Sequence, residues 1–133
     1  MIVEKLMTRK VITVHPEDTV LEALTVARTN RIRHVPVVEG KTLKGIVSDR
    51  DLRDVSPSVL ASKDVHLLEG TLVKEIMHTD VITASPSDPV EEAARMLYEH
   101  RIGSLPVVVD GDQLVGIITH KDVLFCFVEK YHM

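Results

Sequence analysis

The sequence predicts an α/β (α+β) fold in which one β-α-β-β-α unit occurs twice, so that the two halves are pseudo-symmetric. The first observation is an internal repeat, in which Val3–Val38 matches Val73–Val108 at a constant offset of 70 with 15 identities in 36 positions. After one inserted residue, Leu43–Leu52 aligns with Leu114–Val123 with four more identities. A period near 70 residues is too long for a solenoid of short repeats, so two copies of one structural unit are predicted.

Each unit is predicted to begin with a short strand and a long helix. The β-branched stretches VITV (11–14) and VITA (81–84) predict strands that end close to a proline. Helices are predicted over Asp18–Arg31 and Pro89–His100, because apolar residues recur there at i, i+3, i+4 and i+7. These apolar positions are Val20, Ala23, Leu24 and Ala27 in the first helix and Val90, Ala93, Ala94 and Leu97 in the second.

A hairpin and a second helix complete each unit. The segments VPVVE and LPVVVD indicate strands with a proline near the start, where it disturbs a sheet least. A glycine-containing turn connects them to LKGIVS and LVGIIT, which predicts a hairpin, and a further helix is predicted to start at Ser48 and at Thr119. The strands are nearly all apolar, which favours coverage of both faces. The predicted division is a unit at 1–56, a connecting segment at 57–72 and a unit at 73–133.

The composition excludes several classes of protein. The chain has 133 residues, is 44% hydrophobic and carries a formal net charge of −4, which indicates no basic surface for nucleic acid. No apolar run approaches the roughly 18–20 residues of a membrane span, and the charged start MIVEKLMTRK is unlike a signal peptide. Cys126 is the only cysteine, which excludes an internal disulfide and fits a reducing cytoplasm.

The titratable residues form no catalytic or metal-binding pattern. The seven histidines lack a metal-ligand spacing such as HExxH, and His78 is predicted to lie on the surface. No nucleophile lies beside a base in a recognisable arrangement. The sequence therefore predicts neither an enzyme nor a metal site.

The repeated phrase GIVSDRDL (45–52) and GIITHKDV (116–123) allows two interpretations. Ser-x-x-Asp and Thr-x-x-Asp are capping boxes, in which a hydroxyl and a carboxylate satisfy free N–H groups at a helix start. A helix start after a strand also attracts an anion, and a nearby carboxylate can hold the hydroxyls of a sugar. The two interpretations are compatible.

The double motif, G-h-h-[ST]-x-x-D-h with hxxPVV in the middle of each unit, resembles the CBS-domain pair, or Bateman module, over nearly the whole chain. The stretches MIVEKLM, DRDLRDVSPS and YEHRIGSLPVV are most similar to the AcuB-type acetoin-utilisation branch of that family. The resemblance implies a regulatory module that binds an adenine nucleotide (AMP, ADP or ATP) in the cleft between two units and modulates a partner protein. S-adenosylmethionine or NAD as the ligand, or a dimerisation and interaction module without nucleotide, are the alternatives.

The resemblance also assigns roles to residues. Asp51 and Asp122 match the aspartate that binds ribose in this family. The chemistry agrees with that role, because an ionised carboxylate can accept from both the 2′- and 3′-hydroxyls. The expected phosphate contacts are Ser48, Thr119, Arg33, His34, Arg50 and Lys121. The expected adenine pocket comprises Val11, Ile12, Val81, Ile82, Pro36, Gly103 and Pro106. Core packing is the competing interpretation for the apolar residues, and a solvated face is the competing interpretation for the basic ones.

A homodimer is the expected assembly. The helices predicted at Leu52–Ser58 and Val123–Lys130 have apolar positions to spare, namely Leu52, Val55, Leu124 and Phe127. Exposed apolar patches of that kind mark interfaces.

Overall fold

The computed structural model of the chain describes residues 1–55 and 65–131. Its helices are α1 (Val3–Leu6), α2 (Val20–Thr29), α3 (Asp49–Asp54), α4 (Val65–Gly70), α5 (Val73–Ile76), α6 (Val90–His100) and α7 (His120–Tyr131). Its strands are β1 (His34–Glu39), β2 (Thr42–Ser48), β3 (Ser104–Val109) and β4 (Gln113–Thr119). The end of the predicted helix Leu52–Ser58 and part of the predicted connecting segment 57–72 lie outside the described residues.

The chain forms two compact units, residues 12–81 and residues 1–11 together with 82–133. The short helices α1 and α5, which were not predicted, determine this division. The Val3 N–H at the start of α1 donates to the Asp88 carbonyl at 2.9 Å, and the Val73 N–H at the start of α5 donates to the Asp18 carbonyl at 2.8 Å. Each short helix thus binds the turn before the long helix of the other repeat. The boundaries of the compact units therefore differ from the boundaries of the sequence repeats.

In the unit 12–81, α2 covers the hairpin of β1 and β2. The helix begins at Thr19, whose hydroxyl accepts the Glu22 N–H at 3.1 Å, while the Glu22 carboxylate accepts the Thr19 N–H at 3.3 Å. Strands β1 and β2 pair antiparallel, as predicted. The buried core contains the four predicted apolar positions of α2 together with strand residues, namely Val20, Ala23, Leu24, Ala27, Val35, Val37 and Val47.

The second unit repeats this arrangement with α6 and the antiparallel hairpin of β3 and β4. Pro89, predicted as the first residue of the helix, is its N-cap instead. The helix buries the predicted Val90, Ala93 and Leu97, whereas Ala94 is half-buried. These residues pack with strand residues such as Leu105, Val107 and Ile118. The α/β prediction of two related units is therefore confirmed.

The first predicted strand of each unit is wrong. VITV and VITA each make a single bridge, Val14 with Val37 and Ala84 with Val107. Val14 donates to the Pro36 carbonyl at 3.1 Å and accepts the Val38 N–H at 2.9 Å. The next N–H, that of His15, donates to the Asp18 carboxylate at 2.8 Å and starts a turn. Since Pro16 has no N–H, the ladder cannot continue.

The glycine of the repeated phrase permits a close approach of two chain segments. A Cβ on Gly45 would lie 2.8 Å from the His78 carbonyl oxygen, and a Cβ on Gly116 would lie 3.0 Å from the Thr8 carbonyl oxygen. His78 and Ile46 exchange two backbone hydrogen bonds of 3.0 and 2.9 Å across this contact. The segment after each short helix is thereby held against the second strand of its hairpin.

The apolar residues predicted to form the dimer interface differ in their exposure to solvent. Leu52 was predicted to be free for an interface, but it is fully buried (0% exposed) in the core of its own unit, and Val55 packs beside that core. Leu124 and Phe127 on α7 are 63% and 50% exposed. Along residues 1–55 and 65–131, none of the helices is long and apolar enough to span a membrane.

Candidate functional site at the starts of α3 and α7

The start of α3 carries a reciprocal pair of hydrogen bonds. The Ser48 hydroxyl accepts the Asp51 N–H at 3.0 Å, and Asp51 Oδ2 accepts the Ser48 N–H at 3.0 Å. This is the predicted capping box. Capping therefore accounts for part of the repeated phrase, and it fixes the carboxylate beside the free N–H groups of the helix start.

Asp51 has a further neighbour in His78, whose Nε2 lies 3.2 Å from Asp51 Oδ2. Partial burial of the carboxyl raises its pKa, but the backbone and hydroxyl hydrogen bonds of Ser48 and the contact with His78 outweigh it. The net result is a pKa for Asp51 below its ordinary value. Asp51 is thus held ionised at neutral pH, and an ionised carboxylate is the form that accepts hydrogen bonds from hydroxyl groups.

The start of α7 has a related geometry. Asp122 Oδ2 accepts the Thr119 N–H at 2.8 Å and lies 3.1 Å from the Thr119 hydroxyl, which donates to it. In this unit the hydroxyl therefore binds the carboxylate, whereas the Ser48 hydroxyl accepts from a backbone N–H. Both aspartates are half-buried.

The predicted phosphate contacts lie near these helix starts on their own units. The Arg33 carbonyl accepts the Asp49 N–H at 2.7 Å, and His34 pairs with Ser48 in the β1–β2 register. The start of β1 and the start of α3 are therefore adjacent, with Arg33 exposed and His34 half-buried. In the other unit, the Gly103 carbonyl accepts the His120 N–H at 3.2 Å. Arg50 and Lys121 are exposed in the first turns of α3 and α7.

The predicted adenine pocket is divided between the two units. Ile12, Pro36 and Val81 belong to the unit 12–81, and Val11, Ile82, Gly103 and Pro106 belong to the other. Pro36 and Pro106 are fully buried, and their carbonyls accept the N–H groups of Val14 and Ala84. Ile82 packs against the core of its unit, as the competing core interpretation expects. Ile12, by contrast, is 37% exposed.

Two further polar residues lie beside the helix starts, and of these His78 was missed as a site residue. Ser104, which pairs with Thr119 across the β3–β4 register, is 5% exposed, and its hydroxyl has no hydrogen-bond partner among the described residues. His78 was predicted to lie on the surface, and its side chain is 65% exposed. Its contact with Asp51 follows from backbone pairing between distant segments, for which the sequence gives no local signal. The repeat alignment does place His78 at the position of Thr8.

Within residues 1–55 and 65–131, no group of three or more His, Cys, Asp or Glu side chains is arranged to hold a metal ion. The two helix starts offer carboxylates, hydroxyls and backbone N–H groups for hydrogen bonding, with basic side chains nearby.

Fold and sites together define a paired α/β module with a hydroxyl residue and an aspartate at the start of one helix in each unit. A family model for the CBS domain matches residues 3–58 and 73–129. The chain belongs to the CBS domain family, as the resemblance indicated.

Solved structures agree with this assignment. A protein assigned to acetoin utilization (AcuB) from Vibrio cholerae is 38% identical, with a TM-score of 0.85 over 99% of this chain and 93% of that one. CBSX2 from Arabidopsis thaliana in complex with AMP is 29% identical, with a TM-score of 0.84 over 98% of each chain. The CBS-domain pair of protein MJ0100 in complex with 5′-methylthioadenosine and S-adenosylmethionine is also 29% identical, with a TM-score of 0.81 over 98% of each chain.

Some curated relatives are much longer. An inosine-5′-monophosphate dehydrogenase from Korarchaeum cryptofilum is 38% identical over 122 residues, which are 92% of this chain and 23% of the dehydrogenase. This chain thus spans about a quarter of the length of such relatives.

Proposed function

We propose that this protein is a regulatory module that binds an adenosine-containing ligand at the starts of α3 and α7. The observation that supports the proposal most is the same carboxylate and hydroxyl pair at both helix starts, Ser48 with Asp51 and Thr119 with Asp122. Each carboxylate is fixed by backbone hydrogen bonds and can accept the vicinal hydroxyls of a ribose.

The basic side chains near the helix starts and the ligands of related structures both support an adenine nucleotide as the ligand. Arg33, His34 and Arg50 in one unit and Lys121 in the other are the proposed phosphate contacts, because guanidinium and ammonium groups bind phosphate oxygens. Two relatives with closely similar folds were solved with AMP and with S-adenosylmethionine. AMP, ADP or ATP is the proposed ligand class, and S-adenosylmethionine or NAD is the alternative within the same chemistry.

Calorimetric titration with AMP, ATP, S-adenosylmethionine and NAD tests the proposal. At least one of these should bind, and the 2′,3′-dideoxy form of the adenine nucleotide that binds should be about 5- to 150-fold weaker, because buried polar groups that lose a partner cost about 1–3 kcal/mol. GMP is the control for the base. Failure of every adenosine compound to bind at millimolar concentration would contradict the proposal.

We also propose a homodimer formed through α7. Leu124, Phe125, Phe127 and Val128 are 63%, 57%, 50% and 42% exposed on consecutive turns of this helix. Apolar side chains of this size are usually covered, so a second copy is the proposed occupant. This observation also favours the alternative of an interaction module that needs no nucleotide. The two possibilities separate in the titration, since the alternative predicts a dimer that binds none of the ligands.

The proposed regulatory role implies a partner protein and a cellular location. We propose that the module acts on another protein without catalysis of its own. A reducing cytoplasm is the proposed location, because Cys126 is the only cysteine. Co-purification of a partner that dissociates when AMP is added would support this role, and a partner whose binding is insensitive to every adenosine compound would contradict it.

A further inference from the structure

Other groups of the protein already use part of the hydrogen-bond acceptor capacity of the Asp51 carboxylate. His78 Nε2 lies 3.2 Å from Asp51 Oδ2, and the same oxygen accepts the Ser48 N–H at 3.0 Å. An ionised carboxylate offers about two acceptor positions on each oxygen. These two contacts therefore use the capacity of Oδ2 and leave Oδ1 for another donor.

The equivalent position in the other unit holds a residue that cannot make this contact in the same way. Thr8 and Ile117 exchange two backbone hydrogen bonds of 2.9 and 3.0 Å, as His78 and Ile46 do. The two positions also correspond in the repeat, at the offset of 70. Threonine is shorter than histidine and carries no ring nitrogen or positive charge. The units thus share this backbone pairing but differ in the side chain at the paired position.

We propose that His78 competes with the ligand for Asp51 and so makes the Asp51 site weaker and more pH-dependent than the Asp122 site. The inference rests on the proposed function, because the ligand in question is a ribose with vicinal hydroxyls. While His78 contacts Asp51 Oδ2, one ribose hydroxyl can donate to Oδ1. The second ribose hydroxyl then has no free acceptor position on Oδ2. The imidazole is 65% exposed, so it can turn away into solvent without opening the core.

The competition depends on the charge of His78. The protonated imidazole binds a carboxylate more strongly than the neutral ring does, because the hydrogen bond is then charge-assisted. Protonation of the imidazole therefore strengthens the competitor, so the affinity of the Asp51 site for the ligand is expected to be higher at pH 8 than at pH 6.

Other charged groups lie on α3, β2 and α5 and in the segment that follows α5. Arg50, Asp54 and Asp80 are exposed to solvent. The remaining ones are engaged elsewhere: Asp49 with Arg53, Lys44 with Glu39, Lys74 with Glu17, and Glu75 with the Leu72 N–H. Asp51 is the carboxylate that the structure places in direct contact with His78, with Oδ2 at 3.2 Å from Nε2.

Titration with adenosine at pH 6 and pH 8 tests the inference. Adenosine has no phosphate, so neither phosphate ionisation nor basic phosphate contacts contribute to the pH dependence. In an Asp122→Ala background, which isolates the Asp51 site, His78→Thr should increase the affinity at pH 6 by about two- to fivefold, the range of an exposed ion pair. The increase should be smaller at pH 8.

The repeat supplies matched controls. Threonine already occupies the equivalent position and keeps the backbone bonds, so His78→Thr is expected to fold. The reciprocal change Thr8→His, in an Asp51→Ala background, should weaken adenosine binding at pH 6. Weaker or unchanged binding in His78→Thr would overturn the competition while leaving the proposed function intact. Absence of adenosine and AMP binding by the unmodified protein would overturn the proposed function, and this inference with it.

Discussion

Replacing Gly45 by alanine tests the close approach that holds His78 beside Asp51. The new Cβ would lie 2.8 Å from the His78 carbonyl oxygen and 2.8 Å from Met77 Sδ. The Met77 side chain can adjust, but the His78 carbonyl is tied to the Ile46 N–H at 2.9 Å. The structure must therefore either accept the overpacking, at a cost of about 1–3 kcal/mol, or shift and lose a backbone hydrogen bond, at a cost of about 0.5–1.5 kcal/mol. We expect Gly45→Ala to lower the free energy of unfolding by about 1–3 kcal/mol.

Urea denaturation followed by circular dichroism measures this change. Gly70→Ala is the matched control, because no atom lies within 4 Å of a Cβ built there. The control should change the free energy of unfolding by less than about 0.5 kcal/mol. If Gly45→Ala were as stable as Gly70→Ala, the segment after α5 would not lie against β2 as described, and the contact between His78 and Asp51 would lose its basis.

Three further predictions concern stability and assembly. Asp51→Ala should lower the free energy of unfolding at neutral pH by about 0.5–2 kcal/mol through loss of the cap. Because the pKa of Asp51 is lowered by folding, this loss should shrink as pH falls below about 3.9, and a constant loss down to pH 2 would contradict the ionised carboxylate. Ser104→Ala should leave stability unchanged or raise it, since the buried hydroxyl has no partner among the described residues, and destabilisation by more than about 1 kcal/mol would reveal one. Light scattering should show a dimer that Phe127→Glu converts to a monomer, whereas an unmodified protein that is monomeric at micromolar concentration would refute the α7 interface.

The parts of the fold that follow from local patterns were predictable from the sequence. The apolar spacing of α2 and α6 and the hairpin turns are local signals, and the structure confirms both. The helix start at Ser48 was predictable for the same reason, because a capping box spans four residues. The Asp51 and Asp122 carboxylates were identified from the repeated phrase, and their ligand role stays a prediction.

Features that depend on distant contacts could not be predicted. A β-branched run such as VITV favours extended backbone, but Pro16 and the turn at Asp18 limit its pairing to one bridge. Helices as short as α1 and α5 lack a full apolar period, so their docking against the turn of the other repeat left no pattern to detect. His78 meets Asp51 for a similar reason, since the contact depends on backbone pairing with Ile46.

Titration of AMP into the double variant Asp51→Ala/Asp122→Ala tests the central claim most directly. The control is Asp49→Ala, which removes a carboxylate from the same helix start, where Asp49 pairs with Arg53 at 3.0 Å. The account predicts that the unmodified protein and the Asp49 variant bind AMP equally. It also predicts that the double variant binds AMP about 5- to 150-fold more weakly, since each site loses one carboxylate at about 1–3 kcal/mol. Equal AMP affinity in the double variant would contradict the account and leave helix capping as the whole role of the repeated phrase.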